Sequence, residues 1–141
     1  MRTPTPRRSF HVVIHATAVT RPFEALSVAD GLWNIVCNEL ERPSVRLLCA
    51  TLMPDHLHLV VSPRKKPITD WVRDFKAFST DALRPLHGRD SIWQARFYDY
   101  RLRSEEELGA CVEYVCRNAL DAGLVDEPGE WPWVGSWLDL P

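Results

Sequence analysis

Hydrophobic and polar positions along the chain repeat with two different periods, which predict the order of its secondary structure. Alternation with a period of two, typical of strands, predicts strands over residues 10–19, 45–51, 57–62 and 96–103. A period near 3.6, typical of amphipathic helices, predicts helices over residues 24–40 and 68–86. A third helix is expected to open at the capping box Ser104-Glu105-Glu106-Glu107 and to stop at Gly123.

This order of elements favours an α+β class. Strand, helix, strand, strand, helix, strand is the ferredoxin-like βαββαβ arrangement, in which two helices cover one face of an antiparallel sheet. The additional C-terminal helix is then expected to bring Tyr114 to the other face. The length predicts one domain over residues 1–141, with a core of about 9–125 and a Trp-rich tail, 126–141, packed against it.

Two short spacings place polar side chains on common faces. His56-Leu57-His58 opens the predicted third strand, and alternation puts both imidazoles on one face with Leu57 in the core. Tyr114 and Asn118 are four apart on the last helix and therefore share one helical face. If these two faces meet, two nitrogens and an amide oxygen can hold a divalent cation beside a phenol.

These residue types together point to phosphodiester chemistry with a protein nucleophile. A phenol has a pKa of about 10 and needs assistance to attack near neutral pH. A cation on a nonbridging phosphate oxygen withdraws charge and orients the backbone for in-line displacement. The resulting phosphotyrosine preserves the energy of the diester, so a second hydroxyl can reverse the step. The ligand set suits Mg²⁺ or Mn²⁺, and zinc is chemically possible.

Several of these residues have ordinary structural interpretations. A His-x-His pair alone is weak, since surface or hydrogen-bonded histidines have the same spacing. His11 and His15 share the alternation of the first strand, where packing or substrate contact is favoured over ligation. Core positions are favoured over base-stacking platforms for three aromatic residues, Trp93, Tyr98 and Tyr100.

Charge is distributed unevenly along the chain. Residues 1–103 carry 16 Lys+Arg and 10 Asp+Glu, whereas residues 104–141 carry 1 and 9. A basic groove for a phosphate backbone is therefore compatible with the net charge of −2, because binding follows the local field. The candidates for guiding DNA, each of which has the alternative of being solvated surface, are Arg7, Arg8, Arg64, Lys65, Lys66, Arg73 and Lys76.

Composition also bears on the compartment. The chain has no apolar run of the roughly 20 residues needed to span a bilayer, and its N-terminus lacks the apolar stretch of a signal peptide. We therefore expect a cytoplasmic protein without a membrane partner. The four cysteines form no C-x-x-C pair, which favours reduced packing residues over a structural zinc site.

The motifs taken in order resemble one family, the REP-associated tyrosine transposases of the single-tyrosine HUH nucleases. The resemblance covers about residues 9–137 and is carried by five segments: Met53-Pro54-Asp55-His56-Leu57-His58-Leu59-Val60-Val61, Ile92-Trp93-Gln94 through Phe97-Tyr98, Tyr114-Val115-x-x-Asn118, Ala122-Gly123-Leu124-Val125 and Trp131-Pro132-Trp133. The chain departs from the family at Asn118-Ala119-Leu120-Asp121, where the usual pattern is Asn-Pro followed by a basic residue.

The resemblance implies an enzyme that cleaves and rejoins single-stranded DNA at hairpins of repeated extragenic palindromes, working as a monomer or as a homodimer. It implies that His56 and His58 bind the metal, that Tyr114 is the nucleophile and that Asn118 is the additional ligand. Two other hypotheses stay open: a noncatalytic hairpin-binding regulator of the same fold, and a metal hydrolase that uses activated water without a tyrosine adduct.

Overall fold

The computed structural model of the chain describes residues 8–17, 21–42 and 44–138. The strands it contains are β1 (Ser9–His15), β2 (Val45–Leu52), β3 (His56–Pro63), β4 (Tyr98–Leu102) and β5 (Val134–Ser136). The α-helices are α1 (Leu26–Asn38), α2 (Ile68–Ala82), α3 (Arg84–His87), α4 (Glu105–Cys116) and α5 (Asn118–Asp121). Short 3-10 turns occur at Pro22–Glu24, Glu39–Glu41 and Pro128–Glu130.

The strands form one antiparallel sheet in the order β4-β1-β3-β2-β5. The first four strands have the order of a ferredoxin-like sheet, so the predicted fold class is confirmed. β2 and β3 pair as a hairpin around Met53-Pro54-Asp55, and a bulge shifts the register between Leu47 and Cys49. The fifth strand was not anticipated as a strand, and it extends the sheet beyond β2.

One face of the sheet forms the larger hydrophobic core, under α1 and α2. The alternation predicted for β1 and β3 holds, because the same cluster contains one set of alternate positions from each strand. These fully buried positions, together with the helical residues above them, include Val12, Ile14, Leu57, Leu59, Val61, Leu32, Val72 and Phe75.

The opposite face packs against α4. Leu108, Val112 and Val115 of α4 cover Leu48 and Val60, and Cys49, Cys111, Cys116 and Leu102 complete this second cluster. Since successive side chains of a strand point to opposite faces, this is also the face of β3 that carries His56 and His58. The packing of α4 therefore determines what the histidines meet.

Two predicted helices are interrupted. The helix expected over residues 68–86 breaks at Leu83, because Pro85 lacks an amide hydrogen and its ring clashes with the carbonyl four residues earlier. The last helix breaks at Arg117, between α4 and α5. At this break the carbonyl of Val115 accepts a hydrogen bond from the buried hydroxyl of Thr51, at 2.6 Å.

Two strands are shorter than expected. β1 ends at His15, after which Ala16 makes an isolated bridge with Trp93; residues 18 and 19 of the predicted strand lie outside the described ranges. β4 begins at Tyr98 rather than at residue 96. The carbonyls of Gln94 and Ala95 just before it accept hydrogen bonds from Lys76 Nζ.

The ends of the last helical segment follow the predicted signals. Ser104 Oγ accepts from the amide of Glu107 at 3.1 Å. The Glu107 carboxylate accepts from the amide of Arg103 rather than completing the box at Ser104. Gly123 follows α5 with φ of 76°, a left-handed conformation that glycine adopts without steric cost.

The tryptophans in the described part of the C-terminal tail pack against the rest of the chain. Trp131 Nε1 donates to the carbonyl of Leu52 at 3.0 Å, and Trp133 Nε1 donates to Asp30 Oδ1 at 2.9 Å. Between them and Trp137 lies β5, which pairs with β2. A Cβ at Gly135 would lie 2.5 Å from the Trp137 ring, so glycine is required for this close approach.

None of the described helices combines the length and apolarity needed to cross a bilayer. All four cysteines are free thiols, and Cys49 is fully buried under α4. Cys49, Cys111 and Cys116 pack in the second cluster, as expected of packing residues, whereas Cys37 belongs to neither cluster.

We expect Glu39→Gln to stabilise the protein at pH 7.5 more than at pH 4.5. Glu39 is 9% exposed, and its carboxylate has a long contact from Trp71 Nε1 (3.4 Å), a loose pair with Arg42 (3.8 Å) and a weaker attraction from Lys66. Burial raises the pKa of Glu39. A raised folded-state pKa favours stability at low pH, and this contribution is lost as the pH rises from the unfolded value of 4.5 through the folded one.

The measurement is the free energy of unfolding in urea for the variant and the wild type at both pH values. The exposed Glu41→Gln on the same turn is the matched control, with the same loss of charge but no burial. An equal effect of Glu39→Gln at the two pH values would contradict the interpretation.

Candidate active site

An open cleft of about 630 Å³ lies on the sheet face that packs against α4. Its lining brings together residues from five elements, β1, β3, β4, α4 and α5, and from the turn before β3. They are His11, Val13, His15, Met53, His56, His58, Tyr98, Tyr114, Asn118 and Ala122. The structure therefore places the predicted His pair, tyrosine and asparagine around one cavity.

Strand register positions the histidines. His15 pairs with His56 across β1 and β3, and Val13 pairs with His58. Opposite residues of antiparallel strands share a face, so His11, His15, His56 and His58 all point into the cleft. The ring of His11 stacks on that of His58 and the ring of His15 on that of His56, each with 5.2 Å between centroids.

Hydrogen-bond contacts join Asp55 and three of the histidines, His56, His58 and His11, in a row. His56 Nδ1 donates to Asp55 Oδ1 at 2.7 Å. His56 Nε2 lies 3.1 Å from His58 Nε2, and His58 Nδ1 lies 3.0 Å from His11 Nε2. Both ring nitrogens of His58 therefore have imidazole partners. Its position is fixed from two sides.

The surroundings of His58 and His11 favour the neutral forms of these two imidazoles. Burial, together with the smaller effect of the charges that His56, His11 and His15 would carry, lowers the pKa of His58 to about 3. Burial also lowers the pKa of His11. The hydrogen bond from His56 lowers the pKa of Asp55, which keeps that carboxylate ionised as an acceptor. At neutral pH the rings of His58 and His11 therefore present lone pairs rather than positive charges.

Tyr114 is half exposed and borders the histidines. Its side chain is 50% accessible, so the ring is not locked in the interior. The ring lies edge-on to His58, with centroids 5.8 Å apart, and edge-on to His11 at 6.1 Å. Asn118 lines the same cleft from the start of α5, although the helix is interrupted between the two residues.

The donor set can accommodate a cation. Two nitrogens bound cis to one ion at ~2.1 Å each would be about 3.0 Å apart at a right angle, which is close to the 3.1 Å between the Nε2 atoms of His56 and His58. Within the described ranges no three His, Cys, Asp or Glu side chains converge as a metal cluster. The predicted further ligand, Asn118, lines the same cleft as the two histidines.

Three of the proposed DNA-guiding residues lie at the opposite end of the sheet from the histidine pair. Arg8 precedes β1, and its carbonyl accepts from Ser62 Oγ near the end of β3. Arg64 and Lys65 follow β3, and both amides bond the carbonyl of Ser44. The seven steps of β3 from its first to its last residue span about 23 Å at ~3.3 Å per residue. All three side chains are exposed.

The other described basic candidates already have partners. Lys66 Nζ lies 2.7 Å from Asp74 Oδ2, and Arg73 lies between Asp70 and Asp74 at 3.7 and 3.5 Å. Lys76 donates to two backbone carbonyls before β4. These three lie on or beside α2, across the sheet from Tyr114. Arg7 lies outside the described residues.

Sequence reasoning missed two features of the cleft. The first is Asp55, for which no role in the site was predicted. Its position directly before His56 is the signal in the sequence that could have indicated the hydrogen bond to that ring. The expectation of core positions is confirmed for Trp93 (3% exposed) but wrong for Tyr98 (52%) and Tyr100 (41%). β4 is an edge strand of the sheet, and its burial pattern leaves both tyrosines exposed.

The fold and the cleft define an α+β domain in which a His-x-His pair on an antiparallel sheet lies beside a helical tyrosine. Residues 6–118 match a family model described as "Transposase IS200 like". The chain therefore belongs to the family of IS200-like transposases, and the resemblance inferred from the motifs is confirmed at this level.

Three individual proteins to which the chain is similar have low sequence identity to it. The chain is 22% identical over 102 residues to a protein of Haemophilus influenzae that is provisionally named a REP-associated tyrosine transposase; the match spans 63% of this chain and 57% of that protein. A solved REP-associated tyrosine transposase bound to a REP hairpin matches with a TM-score of 0.72 and 18% identity, over 95% of this chain and 79% of the other. A protein of Deinococcus radiodurans, provisionally a transposase, matches with a TM-score of 0.56 and 20% identity, over 82% and 93%.

We expect Thr51→Val to destabilise the protein by about 1 kcal/mol and to loosen the helix that carries Tyr114. Valine has nearly the same shape as threonine but cannot donate to the carbonyl of Val115. The loss is moderate because the apolar packing of Val112 and Val115 on the sheet remains. Urea denaturation measures the free energy, and hydrogen exchange of the α4 amides measures the loosening.

Thr51→Ser is the control, since it keeps the hydroxyl donor while losing a methyl group. Faster exchange in α4 for the serine variant than for the valine variant would show that methyl packing, not the hydrogen bond, holds the helix.

Proposed function

We propose that this chain is a metal-dependent endonuclease and strand transferase for single-stranded DNA beside hairpins, acting through a covalent phosphotyrosine. The observation that carries the proposal is the cleft in which the half-exposed Tyr114 ring lies 5.8 Å from the ring of His58, with His56 and Asn118 in the same lining. Membership of the IS200-like transposases supports the reaction class. The similar solved structure bound to a REP hairpin supports hairpin DNA as the partner.

The histidine pair supplies the site for the cation. His56 and His58 would hold it through Nε2, with Asn118 as a further ligand, leaving positions for a phosphate oxygen and for water. A bound Mg²⁺ or Mn²⁺ supplies Lewis-acid polarisation of the scissile phosphate. Burial keeps His58 neutral, so its lone pair is not lost to a proton near neutral pH. Asp55 orients His56 through the 2.7 Å hydrogen bond.

Tyr114 performs the transfer. Its phenolic oxygen forms a bond to phosphorus, the bond from phosphorus to one sugar oxygen breaks, and that sugar departs as a hydroxyl. The phenolic proton leaves to solvent, which the 50% exposure of the side chain permits. Attack by the same or another DNA hydroxyl on the phosphotyrosine reverses the exchange without ATP, so cutting and rejoining use one site.

The cleft and the exposed basic residues lie at opposite ends of the sheet, so we expect them to contact different parts of the DNA. Single-stranded nucleotides would occupy the cleft, where the exposed Tyr98 offers a face for stacking at its rim. Phosphates of the hairpin stem would contact the exposed Arg8, Arg64 and Lys65, about one strand length away. Salt dependence of hairpin binding is expected to come from that end of the sheet.

We expect Tyr114→Phe to abolish the covalent protein–DNA adduct while leaving hairpin binding within about two-fold of the wild type. The substitution removes the attacking oxygen and keeps the ring that packs beside His58. Labelled single strands with adjacent hairpins are incubated with Mn²⁺ and separated on denaturing gels, and binding is measured separately by fluorescence anisotropy.

The two other tyrosines are matched controls. Tyr98→Phe changes the second tyrosine of the cleft, and Tyr100→Phe changes one that donates to Glu107 outside it. An adduct that survives in Tyr114→Phe but disappears in Tyr98→Phe would overturn the assigned nucleophile. Free fragments without an adduct from the wild type would favour a hydrolase with activated water, and binding alone would favour a noncatalytic hairpin-binding regulator.

A further inference from the structure

His58 differs from His56 in what its second ring nitrogen contacts. His56 Nδ1 donates to the carboxylate of Asp55, and an ionised carboxylate can only accept a hydrogen bond. His58 instead places Nδ1 3.0 Å from Nε2 of His11, an imidazole that can either donate or accept. His11 is held in place by β1, by its stacking on His58 and by edge contacts with Tyr98 and Tyr114.

Without a cation, the order of donors in the row is determined by Asp55. Because the carboxylate accepts, His56 carries its proton on Nδ1 and its Nε2 is an acceptor. His58 Nε2, at 3.1 Å, must then donate to it, which leaves His58 Nδ1 as an acceptor. The donor to that nitrogen is His11 Nε2. With one proton on each of the three rings, this order satisfies all three contacts.

A cation held by the Nε2 atoms of His56 and His58 would reverse the donor and acceptor roles in the contact between His58 and His11. A neutral His58 that gives its Nε2 lone pair to a cation must carry its proton on Nδ1. The contact with His11 then survives only if His11 Nε2 becomes the acceptor and the proton of His11 resides on Nδ1. A partner that only donates, such as a lysine, could not serve the ligating form.

We propose that His11 is a positioning residue that orients His58 for ligation by exchanging donor and acceptor roles with it when the cation binds. This inference rests on the proposed function, because it requires His56 and His58 to hold a cation. His11 touches no metal in this arrangement. It keeps the ring plane and the protonated nitrogen of His58 in the form that presents Nε2 to the cleft.

β1 offers a matched control in His15. His15 lies on the same strand and face, and it stacks on His56 with the same 5.2 Å between centroids. In the described part of the chain it makes no ring-nitrogen contact comparable to that between His11 and His58. Loss of stacking alone should therefore affect His11 and His15 variants equally, whereas loss of the hydrogen bond should affect only His11.

The test is a calorimetric titration of the full chain with Mn²⁺ in the absence of DNA. We expect His11→Leu to weaken Mn²⁺ binding by about 10- to 100-fold, the range typical for loss of such an outer partner. His11→Gln, whose amide can donate or accept, should lie within about five-fold of the wild type, and His15→Leu within about three-fold. Thermal denaturation of each variant checks that it is folded.

A second readout uses only the wild type. Long-range ¹⁵N–¹H spectra of the histidine rings, recorded with and without Zn²⁺ as a diamagnetic probe, should show the proton of His58 on Nε2 before addition and on Nδ1 after it. Equal Mn²⁺ affinities for the wild type and His11→Leu, or an unchanged His58 tautomer, would overturn the role of His11 alone. A wild type that binds neither ion would overturn the metal site itself and this inference with it.

Discussion

The packing of α4 on β2 and β3 is the interaction on which the candidate site depends. Val112 and Val115 bury their side chains against Leu48 and Val60, and Thr51 donates to the Val115 carbonyl beside the end of the helix. Burial of apolar surface is not directional, whereas a buried hydrogen bond specifies one position along the helix. The residue just before Val115 is Tyr114, so its proximity to His58 follows from this contact.

The same burial shapes the chemistry of the histidines. Four imidazoles share one sheet face, and a row of charged rings there would repel one another. Desolvation under α4 favours the neutral form of His58 instead, and Asp55 gives His56 a fixed donor direction. A neutral His58 keeps the lone pair that the proposed cation would need. The burial that accompanies the packing of the domain therefore also favours the form of His58 that the proposed function requires.

Electrostatics and topology divide the surface in a way that net charge conceals. The exposed Arg8, Arg64 and Lys65 lie at the end of the sheet away from the cleft, and Lys66 and Arg73 are paired with carboxylates. Charge summed over the first 103 residues therefore describes a basic half of the sequence, but not a continuous basic groove at the site. The Trp-rich tail closes the other edge of the sheet as β5, where it shields β2 from pairing with another chain.

Periodicity and local signals in the sequence determined the order of strands and helices, the core faces of β1 and β3, the shared face of His56 and His58, and the end at Gly123. These depend on the backbone geometry of neighbouring residues, which a sequence displays directly. The break at Arg117, the exposure of Tyr98, the fifth strand and the contact between His58 and His11 were decided by the tertiary structure. Each depends on which distant segments meet, and His11 and His58 are 47 positions apart, so only the register of β1 with β3 brings them together.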